Sequence, residues 1–206
     1  MRIALAVRGF SCVRQILGEA FGDDFIVECD ASDIVDVARE VDVVVPIMTR
    51  IPEAALAGGR IKLIQQYGVG LDIVDIEAAT RAGVLVANVP SVGSGNAESV
   101  AELAVSLMMM LGRQIPTAQQ RFRERRFSGP MGRALWGSTV VILGYGGIGE
   151  EIARRLGGFG ARVMAVSRSG PSGERARDTS VKLERHVSAA HALEVLGEAD
   201  YLVVAA

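Results

Sequence analysis

The sequence predicts an α/β protein built on parallel sheets. Short apolar runs alternate with helix-like stretches over all 206 residues, the pattern of a parallel sheet with helices on its faces. The runs are rich in Val and Ile and lack polar alternation, as strands covered on both faces require. One of them passes straight into a glycine loop and a helix.

In order along the chain, the first strand candidates are Ile3–Val7, Phe25–Cys29, Val41–Ile47, Ile61–Gln65 and Val84–Ala87, enough for one small sheet. Between Asn96 and Gly112, the residues Val100, Leu103, Ala104, Leu107, Met108 and Leu111 recur at i, i+3, i+4, i+7, i+8 and i+11. That spacing is one apolar stripe of a helix, with Asn96 as its N-cap. The helix marks a boundary between two domains, 1–95 and 96–206. A charged stretch follows, then the strand Thr139–Leu143, the glycine loop, a helix over Ile148–Gly158 and the strand Arg162–Val166. A polar loop at 167–180 leads to a weak strand near Val181–Arg185, a helix near Ala189–Leu196 and a last strand, Tyr201–Ala205, apolar like a buried central strand but expected to have an unpaired outer edge and exposed apolar surface. No internal repeat of solenoid period is found.

Composition narrows the function classes. Half of the residues are hydrophobic, and 24 glycines with 6 prolines fall well below the level of low-complexity chains, so the chain folds. A formal net charge of −2 offers no excess of positive charge to phosphate backbones, which argues against nucleic acid as a partner. The locally basic run from Arg121 to Phe127 carries an interleaved Glu124 and reads as a helix end bridging two domains. Cys12 and Cys29 make no C-x-x-C pair, which excludes a disulfide-stapled scaffold and points to a reducing cytoplasm. The apolar run after Arg2 is too short for a signal peptide, and Leu103–Leu111 falls far short of the roughly 18–20 residues of a membrane span. A soluble protein is expected, with no membrane contact. No metal-ligand spacing of His, Cys and carboxylates is found, and no Ser–His–Asp order is supported.

The glycine loop reads Gly144-Tyr145-Gly146-Gly147-Ile148-Gly149, a G-x-G-x-x-G pattern directly after an apolar strand. Alone it reads as a plain tight turn as readily as a binding loop. Its context decides: Ile148, Ile152, Leu156 and Phe159 follow at helical spacing, and the strand Arg162–Val166 completes a strand–loop–helix–strand unit. Dinucleotide binding needs bare backbone at these positions. Gly144 permits the tight turn, Gly146 leaves room for the phosphates, Gly149 lets the helix lie close to the strand, and the N–H groups at the helix start hold the negative charge. NAD sites place an Asp or Glu about 20 residues on, at the adenine ribose. Here Ser167-Arg168-Ser169 stands eighteen to twenty residues past Gly149. A carboxylate would repel a 2′-phosphate, whereas Ser167 can hydrogen-bond it and Arg168 can pair with it. The residues favour NADP(H) over NAD(H); the competing reading leaves Arg168 a solvated loop residue.

Four stretches together carry a family resemblance: Tyr67-Gly68-Val69-Gly70-Leu71-Asp72, Asn88-Val89-Pro90, Asn96-Ala97-Glu98-Ser99-Val100-Ala101-Glu102, and the glycine loop through Arg168. In order and spacing the sequence resembles the D-isomer-specific 2-hydroxyacid dehydrogenases over nearly the whole chain. The resemblance implies a small flavodoxin-like parallel-sheet substrate domain at 1–95 and an incomplete, doubly wound Rossmann domain at 96–206. It implies hydride transfer between NADP or NAD and a small 2-keto or 2-hydroxy acid, with the N–H groups of Val69 and Gly70 meeting the substrate carboxylate. The residues agree, since a glycine-flanked turn after Ile61–Gln65 exposes amides at the carboxyl end of a parallel strand. Ile73 departs from the family, which often has Asn there. The resemblance also puts helix 96–111 at a homodimer contact, with Met108-Met109-Met110 in the core or at that interface. The family's catalytic Arg, Glu and His are expected beyond Ala206, so none is assigned within the chain. His186 and His191 are expected in surface or packing roles. On this reading the chain is a C-terminally truncated dehydrogenase, inactive in isolation; the alternative is a non-catalytic dinucleotide-binding module or a partner subunit of a full-length relative.

Overall fold

In a computed structural model describing residues 1–58, 60–172 and 181–205, the Val- and Ile-rich runs form two parallel sheets. They lie in separate units, Met1–Pro90 and Ser91–Ala206, so the division falls between Pro90 and Ser91.

In the first unit β1 (Ile3–Ala6), β2 (Ile26–Glu28), β3 (Val43–Pro46), β4 (Leu63–Gln65) and β5 (Leu85–Ala87) pair in the order β2-β1-β3-β4-β5. Every pairing is parallel, and this is the flavodoxin-like strand order. Helices α1 (Ser11–Phe21), α2 (Ile34–Val37), α3 (Glu53–Leu56) and α4 (Ile76–Arg81) lie in the connections. Because side chains alternate along a strand, Ala4 and Ala6 enter one core with Val44, Ile51 and Ile64. Ile3 and Leu5 enter another with Val13, Ile26 and Val45. Both faces of β1 are dry, which is why its sequence shows no polar alternation. The strands are shorter than their apolar runs. At β3 the reason is visible: Asp42 accepts from Arg2 N (2.8 Å), and the amides of Asp42 and Val43 both donate to Arg2 O, so regular pairing starts only at Val43.

In the second unit β6 (Thr139–Leu143), β7 (Arg162–Ser167), β8 (Arg185–Ser188) and β9 (Tyr201–Val204) form a parallel sheet ordered β8-β7-β6-β9. Its helices are α5 (Asn96–Gly112), α6 (Ile115–Arg123), α7 (Gly147–Gly158) and α8 (Leu193–Leu196). The order reverses direction between β6 and β9, and at such a switch point ligands of open α/β sheets bind beyond the strands' carboxyl ends.

Several expectations are corrected here. Helix α5 is capped by Gly95, in the left-handed region at φ +79°, and Asn96 is already helical. Its buried face is Ala97, Ala101, Val105 and Met108, whereas Val100, Leu103, Leu107 and Leu111 are exposed. This face packs on α7, with Ala101, Val105 and Met108 sharing one core with Ile152, Ala153 and Leu156. The charged stretch contains α6, and its basic run is the end of that helix, where Phe122 meets Phe127 edge to face at 5.8 Å. The weak strand lies at Arg185–Ser188, not Val181–Arg185: register with β7 pairs Met164 with Arg185 and Ser167 with Ser188. The helix after it is a short 3-10 turn, Ala189–His191, followed by α8. As expected, β9 is an outer strand among the described residues, with the apolar Leu202 and Val204 exposed. Most of the expected polar loop at 167–180 lies outside the described residues. No helix among those described is long and apolar enough to cross a membrane.

The two thiols differ sharply. Cys12 is exposed, while Cys29 is fully buried, and burial, reinforced by Asp33, pushes its thiol up to about 11. A buried neutral thiol is a poor nucleophile. Alkylation with iodoacetamide at about pH 8 is therefore expected to modify Cys12 alone, with Cys29 reacting only after denaturant is added, as read by peptide mass spectrometry.

Candidate functional site

Two backbone cradles are formed, one in each unit. In the second, β6 ends at Leu143, and Gly144 turns the chain at φ +99° while its amide donates to Val166 O at 2.8 Å. Gly146 is the N-cap of α7, in extended conformation and without a side-chain cap, so α7 starts with uncapped amides. Gly149 N-terminally anchors the packing of that helix on the strand. A Cβ there would lie 2.2 Å from Gly144 O and 3.3 Å from Ile142 Cγ2, which no other residue can tolerate. Gly147 is confined less strictly, by side chains rather than backbone: a Cβ would lie 2.7 Å from Ser91 Oγ and 3.0 Å from Val92 Cγ2. Ser91 and Val92 are neighbours of the loop that motif spacing did not indicate. Tyr145 and Ile148 are half-buried members of the same loop.

At the end of β7, Ser167 is half-buried, and Arg168 and Ser169 are exposed. Among the described residues the Arg168 guanidinium has neither an ion pair nor a hydrogen bond, which leaves its charge available to an anion. Ser167 Oγ lies 2.8 Å from His186 Nε2 and donates to Gly170 O at 3.3 Å. The His186 ring stands edge to face against Tyr145, with centroids 5.1 Å apart. His186 thus joins the end of β7 to the glycine loop. His191 lies in the 3-10 turn, its Nδ1 2.8 Å from Ser188 Oγ.

The first unit's cradle follows β4. Gln66 is buried; its Nε2 donates to Gly70 O at 2.8 Å and its Oε1 accepts from Tyr67 N at 3.1 Å. Asn88 Nδ2 donates to Val69 O at 2.7 Å, Val89 N to Gly68 O at 3.1 Å and Val74 N to Leu71 O at 2.9 Å. Four successive carbonyls are thereby held by the protein. Among the described residues the N–H groups of Val69 and Gly70 have no acceptor, and Gly70 is exposed. Neither Gly68 nor Gly70 has the positive φ that demands glycine, and a Cβ on Gly68 would meet nothing within 4 Å. Absence of side chains here leaves the amides uncovered. The family resemblance singled out Val69 and Gly70 and included Asn88 in one of its stretches, though not its bond to Val69 O; Gln66, which holds Gly70 O, carried no signal beyond being a polar residue at the end of an apolar strand.

A family model for the D-isomer specific 2-hydroxyacid dehydrogenase NAD binding domain matches residues 105–206. D-3-phosphoglycerate dehydrogenase of Mycobacterium tuberculosis is 42% identical over 115 residues, 55% of this chain and 21% of that protein. Hydroxypyruvate reductase of Thermotoga maritima is 34% identical over 146 residues, 69% of this chain and 47% of that protein. The chain belongs to the D-isomer-specific 2-hydroxyacid dehydrogenase family. It spans about a fifth of the mycobacterial relative's length and about half of the Thermotoga one's. Among solved structures, D-lactate dehydrogenase of Aquifex aeolicus, complexed with NAD and lactic acid, shares the fold at a TM-score of 0.77 and 21% identity, over 98% of this chain and 60% of that one. The 2-hydroxyacid dehydrogenase fold in this chain is therefore mixed α/β with parallel sheets, and no group of metal-ligating side chains occurs among its described residues.

The contact at Gly149 gives a direct test. Gly149→Ala is expected to destabilise the second unit by about 1–3 kcal/mol through overpacking, seen as a lowered thermal midpoint in calorimetry, with loss of nucleotide binding.

Proposed function

We propose that this chain carries the carboxylate-binding and adenosine–pyrophosphate-binding parts of an NAD(P)-dependent D-2-hydroxyacid dehydrogenase, which interconverts a 2-keto acid and a D-2-hydroxy acid. The observation that carries the reading is the uncapped start of α7 behind Gly144, held on β6 by a contact that only glycine at 149 allows. A bare helix start at the carboxyl end of a parallel strand fits a pyrophosphate. The unit 91–206 is accordingly the dinucleotide-binding domain, and the unit 1–90 the substrate domain.

In this proposal the backbone of Gly144, Tyr145, Gly146, Gly147, Ile148 and Gly149 holds the pyrophosphate, and Ser167, Arg168 and Ser169 hold the adenine ribose. The nicotinamide, when bound, supplies or accepts the hydride. Val69 and Gly70 grip the substrate carboxylate with two N–H groups whose peptide planes are fixed by the bonds from Val89 N to Gly68 O and from Asn88 Nδ2 to Val69 O. Two fixed donors orient a planar carboxylate and so the keto carbon beside it. The lack of a carboxylate at 167–169, with an uncommitted Arg168, supports NADP(H) over NAD(H). The free cysteines fit a reducing cytoplasm. The exposed apolar face of α5, Val100, Leu103, Leu107 and Leu111, supports association with a second copy through that helix.

The cofactor reading is tested by titration calorimetry. Arg168→Ala is expected to weaken NADP(H) by about 1.5–3 kcal/mol and to leave NAD(H) nearly unchanged; equal losses for both would overturn the preference for NADP(H). For association, sedimentation velocity is expected to show a dimer that Leu107→Asp converts to monomer, since the charge would be buried without a partner.

A further inference from the structure

We propose that His186 is a positioning residue for the 2′-phosphate of NADP(H): by donating from Nε2 to the Ser167 hydroxyl, it makes Ser167 a hydrogen-bond donor toward that phosphate. This rests on reading the end of β7 as the adenine-ribose site, and adds to it a residue from β8.

A serine hydroxyl has one proton and two acceptor lone pairs, so its use depends on what its neighbours take. Ser167 has two such neighbours, His186 Nε2 at 2.8 Å and Gly170 O at 3.3 Å. If Nε2 were bare, the short contact would claim the only proton, and Ser167 would present lone pairs to an anion. If Nε2 carries a proton, the short contact runs from His186 to Ser167, and the hydroxyl proton is left on the long bond to Gly170 O. A bond of that length is weak and is exchanged readily for a charge-assisted one to phosphate. Register supports it: Ser167 pairs with Ser188 and Ala165 with His186, so His186 and Ser167 project from the same face of the sheet. Tyr145 holds the ring edge to face at 5.1 Å, so a residue of the glycine loop fixes the direction of Nε2. The same contact links the ribose end of the site to its pyrophosphate end.

The test compares adenosine 2′,5′-bisphosphate with 5′-AMP, probes that differ only in the 2′-phosphate, by titration calorimetry on the full chain. The wild-type protein is expected to prefer the bisphosphate. His186→Leu should cut that preference about tenfold with little change for 5′-AMP, and His186→Gln, whose amide nitrogen can donate to Ser167, should restore most of it. In a Ser167→Ala background, His186→Leu should have no further effect on the ratio. A preference unchanged in His186→Leu, with Arg168→Ala still abolishing it, overturns the role of His186 and leaves the cofactor reading intact. A His186→Gln protein as poor as His186→Leu overturns donation as the mechanism. A wild-type chain without preference for the bisphosphate overturns both readings together.

Discussion

The contact between Gly149 and the Gly144 carbonyl sets the geometry of the second unit. With a Cβ excluded at 2.2 Å, α7 lies directly on the end of β6, and its opening amides stand at the carboxyl edge of the sheet rather than a side chain's width away. Everything around that contact is scaled to it. Gly147 is closed in by Ser91 and Val92, so the segment before α5 also rests on the start of α7. Helix α5 then packs on α7 with Ala97, Ala101, Val105 and Met108 inward. The leucines of α5, Leu103, Leu107 and Leu111, lie on its outer face, an arrangement that helical periodicity alone reads the wrong way round.

The two cradles solve one electrostatic problem by different means. A peptide unit brings an acceptor with every donor, so a backbone site for anions requires that the carbonyls be turned away and satisfied. In α7 the helix does this, since carbonyls of the first turn accept within the helix, as Gly146 O does from Glu150 N at 2.9 Å. The turn after β4 has no such periodic bonding, and each carbonyl needs its own partner. Gln66, Asn88, Val89 and Val74 supply them in series. This arrangement gives the Asn88-Val89-Pro90 segment a physical purpose. It lies just after β5, next to β4 in the sheet, and closes the turn from the side.

How far the sequence discloses this fold depends on which force forms each element. Strands β1, β3, β6 and β7 are legible because burial on both faces demands continuous apolar runs. Strand β8 is not, because three of its four residues, Arg185, His186 and Ser188, are polar, and its position is dictated by pairing with β7 and by ion pairs such as Arg162 with Glu184. Exposed pairs of that kind contribute little individually, so β8 is held chiefly by its ladder. The glycine loop is legible because close approach requires glycine at fixed spacing. The clamps at Gln66 and Asn88 are not, because any amide side chain in a loop looks alike until the carbonyl that it reaches is known.

His186 shows the same limit more sharply. By spacing it belongs to no catalytic pattern, and its strand carries no apolar signal. Its neighbours follow from register alone: with Ala165 opposite, it shares a face with Ser167 and with the Tyr145 side of the sheet, whereas Val187 turns to the other core with Met164 and Val166. A slip of one residue in β8 would exchange these, placing Val187 beside Ser167 and the imidazole among apolar side chains. The apolar demand of the core against Val166 therefore fixes where the imidazole goes. A hydrophobic preference on one face of a short polar strand thus determines the hydrogen bond offered to Ser167 on the other.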